Sequence, residues 1–146
     1  MITSVQFRAV LDTSILVAAI RSDRGASRAL LVGALERRYQ VLVSVPLIVE
    51  YESVLTRPEH LKASGLSPGD VQAVLDAVAA TAEHVRVAYL WRPVLADADD
   101  DMVLETAVNG RADVLVTFNR GDFEAAATTF ALEIESPAQA VDRMRS

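Results

Sequence analysis

The feature that most constrains the fold is the alternation of short apolar runs with segments of helical spacing. The run "RAVLD" (8–12) is followed at once by "TSILVAAI", whose periodicity is helical and whose start Thr13 or Ser14 is predicted to cap. The runs "VLVSV" (41–45) and "DVLVTF" (113–118) are also predominantly apolar. Such strands, alternating with helices, are typical of a parallel sheet covered on both faces. We therefore predict a three-layer α/β/α sandwich with a mainly parallel sheet of about five strands.

The remaining segments follow the same alternation. Proline and serine at the starts of apolar periodic segments indicate helix beginnings, and a later proline indicates a stop. Further strands are predicted at "HVRVAYL" (84–90) and "ALEIE" (131–135), and 59–69 is predicted to be a loop. Helices are predicted at 26–38, from Pro46 to Pro58, from Ser67, at about 101–110, near 122–128 and from Pro137.

Composition narrows the class of protein. The 146 residues suit a single domain, 1–146, and the absence of cysteine excludes disulfides, a thiolate nucleophile and cysteine-ligated metals. No signal-peptide pattern and no apolar run of roughly 18 residues is present, so we expect a cytoplasmic protein without membrane contact. A net charge of −6 argues against a protein that coats nucleic acid, although it does not exclude a nuclease. The cations are thirteen Arg and one Lys, Lys62.

Acidic and polar side chains fall where the predicted strands end. In parallel sheets ligands bind at this edge, so these residues are the first candidates for a site. They are Asp12 after the first strand, Glu50 in the helix after the second, the cluster Asp97, Asp99, Asp100 and Asp101 at a helix start, and Thr117, Asn119 and Asp122 after the fourth strand.

Convergence of these acids would require a cation. Two carboxylates at about 4 Å repel by roughly 4 kcal/mol at an effective dielectric of 20, a large cost for a fold of ordinary stability. Oxygen ligands suit Mg²⁺ or Mn²⁺, and such an ion supports phosphodiester hydrolysis. Simpler interpretations stay open at each position: Asp12 could only cap a helix, Glu50 could be solvated with Glu52 as a second candidate, and Asn119 and Asp122 could only shape a turn.

Taken in order, "VLDTSILVAAI", "VSVPLIVEYESVL", "DADDDMVLETAVNGRADVLVTFNRGDF" and "EIESPAQAV" resemble the PIN-domain family, specifically the VapC-like toxins of bacterial type II toxin–antitoxin pairs. The resemblance implies an Mg²⁺- or Mn²⁺-dependent endoribonuclease that cleaves RNA, forms a homodimer and is inhibited by a cognate antitoxin. Where many members have Asp two residues after the Thr, this chain has Asn119. The implied catalytic residues are Asp12, Glu50, Asp101 and Asn119, and the implied metal ligands are Asp12, Glu50, Asp100, Asp101 and Asp122.

Two other classes of function remain open at this point. A phosphatase or phosphotransfer domain of the haloacid-dehalogenase or receiver type also places Asp at a strand end, but "LDTS" lacks the second Asp of the former and Lys62 is badly placed. A domain whose catalysis has decayed could act as a protein or RNA binding module, with the acidic cluster as a surface for a basic partner. Asn119 keeps that interpretation open.

Overall fold

The chain folds around one five-stranded sheet in the order β3-β2-β1-β4-β5, and every neighbouring pair is parallel. The computed structural model describes residues 6–88 and 98–146, without the side chains of 98–100. The strands are β1 (Arg8–Leu11), β2 (Gln40–Val43), β3 (Glu83–His84), β4 (Val114–Val116) and β5 (Glu133–Glu135). The helices are α1 (Thr13–Arg21), α2 (Ala26–Leu35), α3 (Val45–Leu55), α4 (Pro58–Ser64), α5 (Pro68–Thr81), α6 (Ala98–Asn109), α7 (Arg120–Phe130) and α8 (Pro137–Arg145).

Helices cover both faces of the sheet. On one face α6 packs against β1, β2 and β4 and contacts α7, which packs on β5. On the other, α2 contacts α1, α5 and α8. The predicted three-layer sandwich is confirmed. No helix among the described ranges is both long and apolar enough to cross a bilayer.

The central strands β1 and β4 determine where the site lies in the fold. Ala9, Val10 and the whole of β4 are fully buried, as expected for strands covered on both faces. Leu11 of β1 pairs with Val116 of β4, and the backbone N–H of Asp12 donates to the carbonyl of Val116 at 2.9 Å. The residues that follow β1 and β4 therefore leave the sheet side by side.

Helices α5 and α8 begin as predicted, at a proline that follows a serine, whereas α3 begins at Val45, one residue before the predicted start at Pro46. Ser67 and Ser136 each form a capping box with the residue three positions later, and Ser44 caps α3. The predicted cap at Thr13 or Ser14 is wrong, because α1 already begins at Thr13.

Other predicted boundaries also need correction. The loop predicted at 59–69 is wrong: Pro58 begins α4, which ends at Gly65 with φ of 75°. The strand predicted at 84–90 is reduced to Glu83–His84, and 89–90 lie outside the described residues. The helix predicted at 26–38 ends at Leu35, and the chain then turns through Arg37 at φ of 59°.

Candidate active site

Asp12 lies at the carboxyl end of β1 and is held by two hydroxyl groups. Its Oδ2 accepts hydrogen bonds from Thr117 Oγ1 at 2.7 Å and from Ser14 Oγ at 3.0 Å. The residue is only 6% exposed and makes no side-chain cap bond to α1, so the interpretation of Asp12 as a simple helix cap is wrong. Both bonds go to one carboxylate oxygen, and no hydrogen bond from the described residues reaches the other.

Thr117 connects Asp12 to Asn119. The same hydroxyl that donates to Asp12 accepts the backbone N–H of Asn119 at 3.0 Å. Asn119 occupies the N-cap position of α7 but makes no side-chain cap bond. Its carbonyl accepts the backbone N–H of Asp122 at 3.0 Å. The turn after β4 therefore uses the backbone of Asn119, and its side chain is not consumed by capping.

Glu50 is buried on α3, with 8% of its surface exposed, whereas Glu52 is exposed. The interpretation of Glu50 as a solvated helix residue is therefore wrong. Its neighbour Tyr51 donates its hydroxyl hydrogen bond to the carbonyl of Leu11 at 2.5 Å, which fixes α3 to the end of β1. Burial, and then the nearby charge of Asp12, raise the pKa of Tyr51 well above its ordinary value, so the phenol remains a donor.

A second buried contact fixes the start of α3. Ser44, its N-cap, forms a 2.7 Å hydrogen bond with Thr106 of α6, and both residues are almost fully buried. Buried hydroxyl pairs of this kind are costly to leave unsatisfied, so they favour one arrangement of the two helices. The helix that carries Glu50 is thus anchored to β1 and to α6.

Asp12, Glu50 and Asn119 line one cavity of about 580 Å³. Two of its walls are the facing sides of α1 and α3, because Thr13, Val17 and Arg21 recur at helical spacing on α1 and Glu50 and Val54 do so on α3. Arg57, between α3 and α4, completes this side of the cavity. The remaining lining residues are Ser14, Ala18 and Ser22.

The structure does not bring every predicted site residue into this cavity. Asp101 is 2% exposed in the first turn of α6, which packs on β1 and α3, but it is not among the lining residues. Asp122 is exposed in the first turn of α7. Asp97 and the side chains of Asp99 and Asp100 lie outside the described residues. The roles assigned to these acids stay predictions.

Two polar residues near the site were not singled out from the sequence. Arg57 lines the cavity from its position between α3 and α4, and no motif in the sequence indicated it. Glu105 is 2% exposed on α6, one turn after Asp101 on the same side of the helix. The sequence did indicate Glu105, because an acid within the apolar helical pattern "DMVLETAV" is unusual.

The donor set of the cavity fits a hard divalent cation. Mg²⁺ is commonly held by one or two carboxylates and retains several waters, and Mn²⁺ accepts similar oxygen ligands. Asp12 and Glu50 supply two carboxylates, and Asn119 offers an amide oxygen. Among the residues whose side chains are described, no group of three or more His, Asp or Glu is placed to hold a metal ion.

These observations define a parallel α/β/α protein with a cavity at the carboxyl edge of its sheet that is lined by two carboxylates and two arginines. The family model for the PIN domain matches residues 8–121, and the chain belongs to the PIN-domain family. Members of this family are generally nucleases that depend on divalent metal ions.

The fold is similar to that of a solved structure. This is the crystal structure of VapBC2 from Rickettsia felis bound to a DNA fragment from their promoter, with a TM-score of 0.61 and 16% sequence identity. The match covers 89% of this chain and 98% of the other. Comparison with curated protein sequences finds no match.

Proposed function

We propose that the protein is an Mg²⁺- or Mn²⁺-dependent endoribonuclease that hydrolyses RNA phosphodiester bonds. The observation that carries this proposal is the convergence of Asp12, Glu50 and Asn119 on one cavity at the carboxyl edge of a PIN-domain sheet. Neither a haloacid-dehalogenase nor a receiver interpretation gains support from this cavity, because Lys62 is not among its lining residues.

Each residue of the site has a proposed role. Asp12 and Glu50 would hold the ion, and Asp101, Asp100 and Asp122 are the further ligands that the sequence predicts. Thr117 and Ser14 would keep the Asp12 carboxylate in one orientation through its Oδ2. Asn119 would position a water or a phosphate oxygen through its amide. When bound, the ion supplies positive charge to the phosphate and makes a water more nucleophilic.

We further propose that this nuclease is the toxin of a toxin–antitoxin pair, a homodimer restrained by a cognate antitoxin. Two findings support the assignment. The sequence resembles VapC-like toxins along most of its length, and the fold matches a structure of VapBC2. We expect a small antitoxin gene beside the gene for this protein. We also expect the antitoxin, when it is purified together with this protein, to abolish RNA cleavage.

The experiment is cleavage of defined single-stranded RNAs by the purified protein with Mg²⁺, with Mn²⁺ and with excess chelator. We expect cleavage with either ion, none with chelator, and loss of activity in Asp12→Asn and Asp101→Asn. Asp76→Asn is the matched control, because it removes the same charge from an exposed site on α5. Thermal melting of each variant reports on folding. Undiminished cleavage by Asp12→Asn, or in chelator, would refute the proposal.

A further inference from the structure

Six of the fourteen Lys and Arg residues of this acidic protein line two cavities, one of which is the candidate active site. Arg21 and Arg57 line the cavity that contains Asp12 and Glu50. A second cavity of about 320 Å³ is lined by four more arginines. They are Arg24 at the end of the turn after α1, Arg28 on α2, Arg38 after α2 and Arg145 at the end of α8.

The turn between α1 and α2 contributes to both cavities. Ser22 lines the first, and Asp23, the next residue, lines the second. Ser22 also fixes this turn, since its hydroxyl contacts both the carbonyl and the N–H of Arg24. We call the six arginines of the two cavities the basic track.

The arginines of the basic track keep their charge available. Within residues 6–88 and 98–146 none of the six forms an ion pair, whereas Arg8 and Arg143 are paired with glutamates. The acids Asp23 and Glu36 line the second cavity, so its four arginines exceed its acids by two. Arg28 is tethered by its Nε, which donates to the carbonyl of Ala19 at 2.7 Å.

We propose that the basic track binds the sugar–phosphate backbone of single-stranded RNA on one side of the cleavage site; this inference rests on the proposed function. A guanidinium group matches a phosphate by paired hydrogen bonds, and a repeating anion suits several arginines that line two cavities connected by the turn after α1. Contacts of this kind fix the register of the substrate without reading its bases. The net charge of −6 then disfavours nucleic acid elsewhere on the surface.

The test uses two double variants that remove the same charge. Arg24→Gln/Arg38→Gln alters the basic track, and neither side chain makes a hydrogen bond to the rest of the described protein. Arg86→Gln/Arg111→Gln is the control, because both arginines are exposed and neither lines the two cavities. Binding of a long single-stranded RNA is measured by anisotropy in excess chelator across a salt series, so that cleavage does not interfere.

Each phosphate contact contributes about 0.7 to the salt slope for a single strand, which corresponds to about a fourfold change in affinity at roughly 0.15 M salt. We expect the track variant to bind about 14-fold more weakly and its slope to fall by about 1.4, while the control keeps wild-type values. In cleavage assays the track variant should raise KM with little change in kcat. Cleavage of a trinucleotide should be equal in all proteins, and Arg24→Lys/Arg38→Lys should recover most of the affinity.

The outcomes separate the two proposals. Wild-type cleavage with equal RNA affinity in the two double variants would overturn the basic track and leave the nuclease intact. The predicted loss of binding in a protein that cleaves no RNA would support the track and refute the nuclease. Unchanged RNA binding, together with loss of binding to an acidic protein partner, would reassign these arginines to that partner and overturn the proposal.

Discussion

Replacement of Thr117 by valine tests whether the orientation of Asp12 determines metal binding. Valine has nearly the shape of threonine, and the position is 2% exposed, so the change removes a hydroxyl with little change in volume. Two hydrogen bonds disappear together: the 2.7 Å bond donated to Asp12 and the 3.0 Å bond accepted from the N–H of Asn119. Asp12 would retain only the bond from Ser14.

The expected loss can be worked from these contacts. A hydrogen bond to a charged acceptor contributes about 1.5–3 kcal/mol, and about 1.4 kcal/mol corresponds to a tenfold change. If that energy holds the carboxylate in its metal-binding orientation, the Mn²⁺ concentration for half-maximal activity should rise about 10- to 150-fold. Loss of a group that orients a metal ligand commonly costs about 10- to 100-fold in affinity or activity, which agrees with this range.

The assay is a metal titration of RNA cleavage, with the metal-induced rise in melting temperature as a readout that needs no activity. Thr117→Ser keeps the hydroxyl and should stay close to wild type, whereas Ser14→Ala should produce a smaller shift because its bond is longer and less buried. Wild-type metal dependence in a folded Thr117→Val variant would refute the reasoning. If Thr117→Val instead melts at a lower temperature than the wild type in the absence of metal, the Thr117 hydroxyl stabilises the fold.

Three further predictions concern the framework of the site. Tyr51→Phe leaves the carbonyl of Leu11 without its buried donor and should lower the free energy of unfolding by about 1–3 kcal/mol, as measured by urea denaturation. Gly110→Ala places a Cβ 2.7 Å from one core methyl group and 3.0 Å from another, and should cost about 1–3 kcal/mol; an unchanged urea midpoint would contradict this. A hydrogen bond from Arg8 holds the pKa of Glu83 below its ordinary value of 4.5, so the pair stabilises the fold above that pH and loses its effect as the pH falls through the lowered pKa. The stability gap between wild type and Glu83→Gln, at most about 1 kcal/mol for this partly exposed pair, should therefore close on acidification.

The sheet was predictable because its central strands are buried on both faces and read as continuous apolar runs. The errors arise where one sequence signal has two meanings. Pro58 was read as the end of α3, yet proline also favours the first turn of a helix, and here it begins α4. The alternation in "HVRVAYL" suggested a long strand, but β3 pairs only at Glu83 and His84 with the end of β2.

The site was predictable to the extent that it depends on strand ends. Parallel strands bring their carboxyl ends to one edge, so Asp12 and Asn119 could be placed together from the positions of β1 and β4. The wall of the cavity was not predictable in the same way. Arg57 reaches it only because α3 and α1 pack side by side, which depends on a tertiary contact that the sequence pattern does not encode.

Asn119 bears on how many ions such a site would hold. Asn119 lines the cavity and its side chain makes no cap bond, so its amide would be available for ligation or for positioning a water. The amide supplies an oxygen but no charge. Asp12 and Glu50, the two acids that line the cavity, balance one divalent ion when ionised, and an aspartate at position 119 would add one further negative charge towards a second ion. We therefore expect one ion to bind the protein alone, with the phosphate of the RNA providing the negative charge for any second.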